Sequence, residues 1–122
     1  MTDLLGQREF GAALQKLRQL LKMQQEPIAI LGAVGGHFRR LSAAKTLLDN
    51  GRGSQDLMKL CAMGDYPARK TMSAAGKFSS RFYARAAELI METDYKMKTS
   101  FDDQDRLLEL LILQLAQEAG SD

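Results

Sequence analysis

Three glycines inside one long apolar helix constrain this chain more than any other feature. Residues Pro27 to Asn50 read PIAILGAVGGHFRRLSAAKTLLDN, and Leu31, Val34, Phe38, Leu41 and Leu48 fall on one helical stripe. Pro27 suits the first turn, where its missing N–H is not needed, and Gly51 suits the stop. Gly32, Gly35 and Gly36 lie in the body of this helix, each costing roughly 1 kcal/mol relative to alanine. With Ala29 and Ala33 they form a patch nearly free of side chains, which predicts close approach by another helix. The stretch is therefore expected at the buried centre of an all-α domain.

The remaining segments follow the same period. Residues 7–24 carry Phe10, Ala13, Leu14, Leu17 and Leu21 on one face. After a turn at Asp49 to Gly53, Ser54 is the expected cap of a short helix with Leu57, Met58, Leu60 and Cys61 on its apolar side. Gly64-Asp65-Tyr66-Pro67 is expected to break it, and residues 67–78 form a second short helix through Ala68, Met72, Ala75 and Phe78. Ser79 or Ser80 opens a longer helix to about Lys98, with Phe82, Ala86, Leu89, Ile90, Thr93 and Met97 along one side. Asp94 and Lys98 stand one turn apart and can pair. Ser100 or Asp102 caps the last helix, Asp103 to Ala119, whose core LLELLILQLA is apolar around most of its circumference. Such a helix is either sandwiched within the bundle or meets another subunit. The architecture expected is a bundle of five to six helices.

Composition bounds the function. The chain has 122 residues, enough for one domain with its own core. A single Cys61 excludes an internal disulfide and fits a reducing compartment. No uncharged apolar run approaches the ~20 residues of a membrane helix, and MTDLLGQREF is not a secretion signal, so a cytoplasmic protein without membrane contact is expected. Net charge is +2, but residues 37–85 hold ten basic and three acidic side chains while residues 86–122 hold three basic and nine acidic. The resulting +7 and −6 mean either a middle that faces nucleic acid or complementary faces that meet within the domain or between subunits.

Catalytic chemistry is not apparent. His37 is the lone histidine, so with one cysteine no zinc cluster forms, and no loop has calcium-binding spacing. Gly32-Ala33-Val34-Gly35-Gly36 lacks the lysine and preceding strand of a phosphate-binding loop. Glu88 and Glu92 lie one turn apart without a histidine partner, and no nucleophile has an activating base. No catalytic residue, metal or cofactor is assigned. Arg69 and Lys70 near the start of the second short helix, and Arg81 and Arg85 one turn apart on the next, are candidates for DNA backbone contact. The two short helices about a tight turn have the length of a helix-turn-helix, which leaves a small DNA-binding regulator using residues 54–78 as an alternative.

The order of motifs resembles the C-terminal domain of the bacterial DNA polymerase III delta subunit. The resemblance rests on Glu26 and Pro27 leading into Leu31, Val34, Phe38, Arg39 and Leu41, then on Tyr66-Pro67 before Arg69 and Lys70. It continues through Ala87-Glu88-Leu89, Asp94 to Lys98, and the leucine-rich end from Leu107 to Leu115. The three glycines and His37 depart from the family's usual pattern. What the resemblance implies is a non-catalytic collar domain of the clamp loader, which joins the other clamp-loader subunits and supports loading of the sliding clamp on primed DNA; any DNA contact by the basic side chains here is expected to be weak and non-specific. The sliding clamp would be met by an N-terminal domain missing here, residues 1–122 being one all-helical domain of a longer multidomain protein. On that reading Leu110, Ile112 and Leu113 of the last helix are the subunit-interface candidates.

Overall fold

The structure is a computed structural model describing residues 1–122, and it is helical throughout. Its elements are α1 (Thr2–Gly6), α2 (Phe10–Lys22), α3 (Pro27–Asp49), α4 (Ser54–Cys61), α5 (Asp65–Ala75), α6 (Ser80–Thr99) and α7 (Gln104–Gly120). The all-α bundle is as expected, with one helix more than the sequence periodicity resolved. That extra helix, α1, has only five residues, too few to display a 3.6-residue period, yet it buries Leu5 completely.

Helix α3 is the hub, packing against α1, α4, α5, α6 and α7. It buries Ile30, Leu31, Val34, Gly35, Phe38, Leu41 and Ala44. The predicted stripe ends early: Leu48, in the last turn, stays 39 % exposed. Around Phe38 the aromatic rings gather, with Phe82 and Tyr83 of α6 at centroid distances of 6.0 and 6.5 Å. Phe78, in the link before α6, stacks on Phe82 at 4.2 Å. Burial of these rings contributes both apolar area and preferred ring geometry.

The glycine patch does not do what its sequence suggests. A Cβ built on Gly32 would meet nothing within 4 Å, and one on Gly35 would make ordinary contacts at 3.5 Å to Arg39 and 3.6 Å to Ile90 of α6. At Gly36 the near neighbour is Arg40 of the same helix, its Nη1 at 3.3 Å. Only Gly35 therefore faces a second helix, and even there an alanine fits. Ala29 and Ala33 are exposed.

Helix ends also differ from expectation in instructive ways. Residue Arg8 takes a left-handed conformation with φ 64°, so the chain turns there and α2 starts at Phe10. Gly53 occupies the N-cap of α4, leaving Ser54 as its first residue. The break before α5 falls at Ala62, φ 53°, and Pro67 lies inside the first turn of α5, where no N–H is required. Ser79 caps α6 by accepting from the Phe82 N–H at 3.1 Å, as predicted. For α7 the cap is Asp103, accepting from the Asp105 N–H at 2.9 Å, instead of Ser100 or Asp102. The Lys98–Asp94 pair forms at 2.9 Å.

Candidate functional site

The last helix decides which surface is open to a partner. Helix α7 packs on α2, α6 and α3, so three directions are covered and one is not. Leu107, Leu108, Leu111, Ile112, Leu115 and Ala119 turn inward. Ile112 is only 2 % exposed, which removes it from the interface candidates: its position on the helix points it into the bundle. Leu110 and Leu113 remain 43 % and 54 % exposed. They occupy the middle of an outward row that runs from Arg106 to Gln117, with polar residues at both ends.

Two ion pairs bracket that row. Arg18 of α2 meets Glu109 at 3.2 Å, and Arg85 of α6 meets Glu118 at 3.4 Å. Each joins α7 to one flanking helix, leaving the two leucines between them. Exposed pairs of this kind contribute about 0–1 kcal/mol, so their importance here is positional: they mark the edges of the apolar strip.

A second apolar feature lies between α3 and α6. Gly35, Phe38, Tyr83, Ala87, Ile90 and Met91 line a groove of about 310 Å³, with Arg39 and Ser42 at its polar side. Met91 is 72 % exposed. Periodicity alone does not reveal this groove, because Met91 lies off the buried stripe of its helix; an apolar residue outside that stripe is the one signal the sequence carries.

The basic candidates are separated and occupied. Arg69 pairs with Asp65 at 3.1 Å and Lys70 with Asp3 of α1 at 3.0 Å. Arg81 donates to the Ser121 carbonyl at 3.2 Å. Arg85 is surrounded by Glu88, Glu92 and Glu118 at 3.4, 3.8 and 3.4 Å. Arg69 is paired within α5, Lys70 with α1, and Arg81 and Arg85 with the end of α7, so each of the four is tied to a different partner. The Lys70 hydrogen bond also holds the Asp3 carboxyl below its ordinary range. Glu88 and Glu92, considered above as paired carboxylates, are partners of Arg85. The α4–α5 pair is part of the bundle, with α5 packed on α3.

No helix is long and apolar enough to cross a membrane. His37 lies in α3 beside Gly6 of α1, where its Nε2 is buried without a hydrogen-bond partner.

The sequence profile described as DNA polymerase III delta subunit, C-terminal domain, matches residues 1–115. The DNA polymerase III subunit delta of Bacillus subtilis (strain 168) is 31% identical over 108 residues, which is 88% of this chain and 31% of that relative. Among solved structures, the Bacillus subtilis DNA clamp loader delta protein superimposes with a TM-score of 0.85 at 28% identity. That match covers 95% of this chain and 34% of the other. The chain thus spans about a third of the length of the relatives it matches.

Proposed function

The chain belongs to the DNA polymerase III delta subunit family, matching its C-terminal domain, and on that premise we propose that it acts without catalysis, as the collar domain through which a clamp loader assembles. The observation that carries the proposal is the outward strip of α7, where Leu110 and Leu113 are exposed between the Arg18–Glu109 and Arg85–Glu118 pairs. Two exposed leucines in an otherwise polar row are what a subunit contact needs at its centre, with polar groups at the rim. The partners are the other subunits of the clamp loader. Engagement of the sliding clamp belongs to residues outside this chain.

Contact with primed DNA is weak and non-specific in this reading. Arg69, Lys70, Arg81 and Arg85 each already have an intrachain partner, and exchanging an exposed pair for a phosphate gains little. Co-purification with the other clamp-loader subunits tests the assembly role. The double variant Leu110→Asp, Leu113→Asp should lose retention while keeping a wild-type helical spectrum, because both side chains are outside the core. Undiminished retention would remove this strip from the interface.

A further inference from the structure

A cleft of about 300 Å³ opens between α1, α3 and α5, and its chemistry is unlike that of the apolar strip on α7. Arg40 and His37 reach it from α3, Asp3 from α1, and Tyr66, Lys70 and Thr71 from α5. One cation is already neutralised: Lys70 Nζ donates to Asp3 Oδ2 at 3.0 Å. Arg40 is not. Its guanidinium, like that of the adjacent Arg39 on the α3–α6 side, has no carboxylate partner, whereas Lys45 and Lys70 each have one.

Gly36 gives Arg40 room. Its Nη1 lies 3.3 Å from where a Cβ on Gly36 would stand, so the side chain folds back along α3 more closely than it could over a residue with a Cβ. His37 forms an uncharged wall beside it, since burial, aided by the Arg40 charge, pulls its pKa down. At the rim Tyr66 is exposed and stands near Met63 and Pro67, a flat and largely apolar ledge. The lining therefore carries one uncompensated positive charge, a second cation with spare donors, and an aromatic edge.

We propose that this cleft binds a phosphate-bearing small molecule, with Arg40 holding the phosphate oxygens, Lys70 supplying the donors that Asp3 leaves free, and Tyr66 lining the group that carries the phosphate. A planar guanidinium fork matches two phosphate oxygens at once. The cleft falls at the lower end of the size range of small-molecule sites, about 300–1,000 Å³, and exceeds what an isolated anion fills. The proposal is independent of the assembly role of α7, because no residue is shared with that strip.

The test is an amide NMR titration of the chain at constant ionic strength, with pyrophosphate and with AMP, against sodium chloride as reference. Saturable shifts are expected at Gly36, Arg40, Lys70 and Thr71 with at least one of the two phosphates. Tighter binding of pyrophosphate identifies a free phosphate anion as the ligand chemistry, and tighter binding of AMP a phosphate carried on a nucleoside. Arg40→Gln should weaken binding by about tenfold or more. Arg39→Gln, which removes a cation lining the α3–α6 groove instead, should leave affinity within about twofold. Should Arg40→Gln lose its folded spectrum, Lys70→Gln supplies the same comparison from the opposite wall. Shifts that never saturate, equal losses in the Arg39 variant and the cleft variant, or no shift with either phosphate would overturn the proposal.

Discussion

His37 is tolerated because Gly6 has no side chain. A Cβ at position 6 would come within 2.9 Å of His37 Nε2, so Gly6→Ala must displace either the imidazole or α1. We expect it to destabilise the chain by about 1–3 kcal/mol, with His37→Ala in the same chain recovering part of the loss; a double-mutant cycle in urea measures the coupling. The same histidine sets a pH dependence. Its folded pKa lies below the ordinary 6.5, chiefly through desolvation, so between those two values the unfolded chain binds the extra proton. Stability is then complete above about pH 6.5 and declines as pH falls through the depressed value. It is the lone histidine, so His37→Gln should flatten the stability profile below the ordinary histidine value of 6.5. An unchanged slope in that variant would place the titration elsewhere.

At the scale of the helix, α3 shows where periodicity informs and where it stops. Leu31, Val34, Phe38 and Leu41 are buried where their spacing put them, because a 3.6-residue repeat gives the phase of a helix whatever surrounds it. The glycines could not be read that way, since whether a missing Cβ meets a neighbour depends on the path of another helix. Gly32 meets none and sits in a helix interior with room around it. Gly32→Ala should accordingly stabilise the chain by up to about 1 kcal/mol, as helix propensity dictates, read as a higher urea midpoint with an unchanged slope. A loss of stability would restore the close-packing role that the sequence first suggested. The same limit governs α7. Its apolar circumference was legible, but separating Ile112 from Leu110 and Leu113 required knowing that α2 and α6 flank it. Caps were decided by single hydrogen bonds, so Ser79 was legible to within one residue and Asp103 was displaced by one from its nearest candidate.

Across the whole molecule, the basic middle and the acidic end meet as ion pairs at one cation, Arg85. Arg85 joins Glu118, and Asp122 accepts from the Ser79 backbone N–H at 2.9 Å and from its hydroxyl, which holds the Asp122 carboxyl below its ordinary range. Complementary faces within the domain thus account for part of the charge pattern that composition left open, since the other paired cations of the middle meet carboxylates outside the acidic end. Arg8 completes this closure from the other end of the chain. Its guanidinium donates to the Lys77 and Ala119 carbonyls, both at 2.8 Å, and lies 5.0 Å from the centre of the Phe78 ring. One side chain thereby joins the start of α2, the link before α6 and the end of α7. The backbone opposes it, because φ 64° at Arg8 costs a non-glycine residue about 1–2 kcal/mol. The two contributions separate by substitution. Arg8→Ala keeps the strained backbone and loses the guanidinium, so it should destabilise by roughly 2 kcal/mol. Arg8→Gly loses the guanidinium but relaxes the backbone, and should be less damaging by about 1 kcal/mol. Arg8→Lys, a point charge without a fork, should fall nearer to alanine than to arginine. If urea unfolding instead finds alanine within about 0.5 kcal/mol of wild type, the closure of the bundle is carried by its apolar core alone.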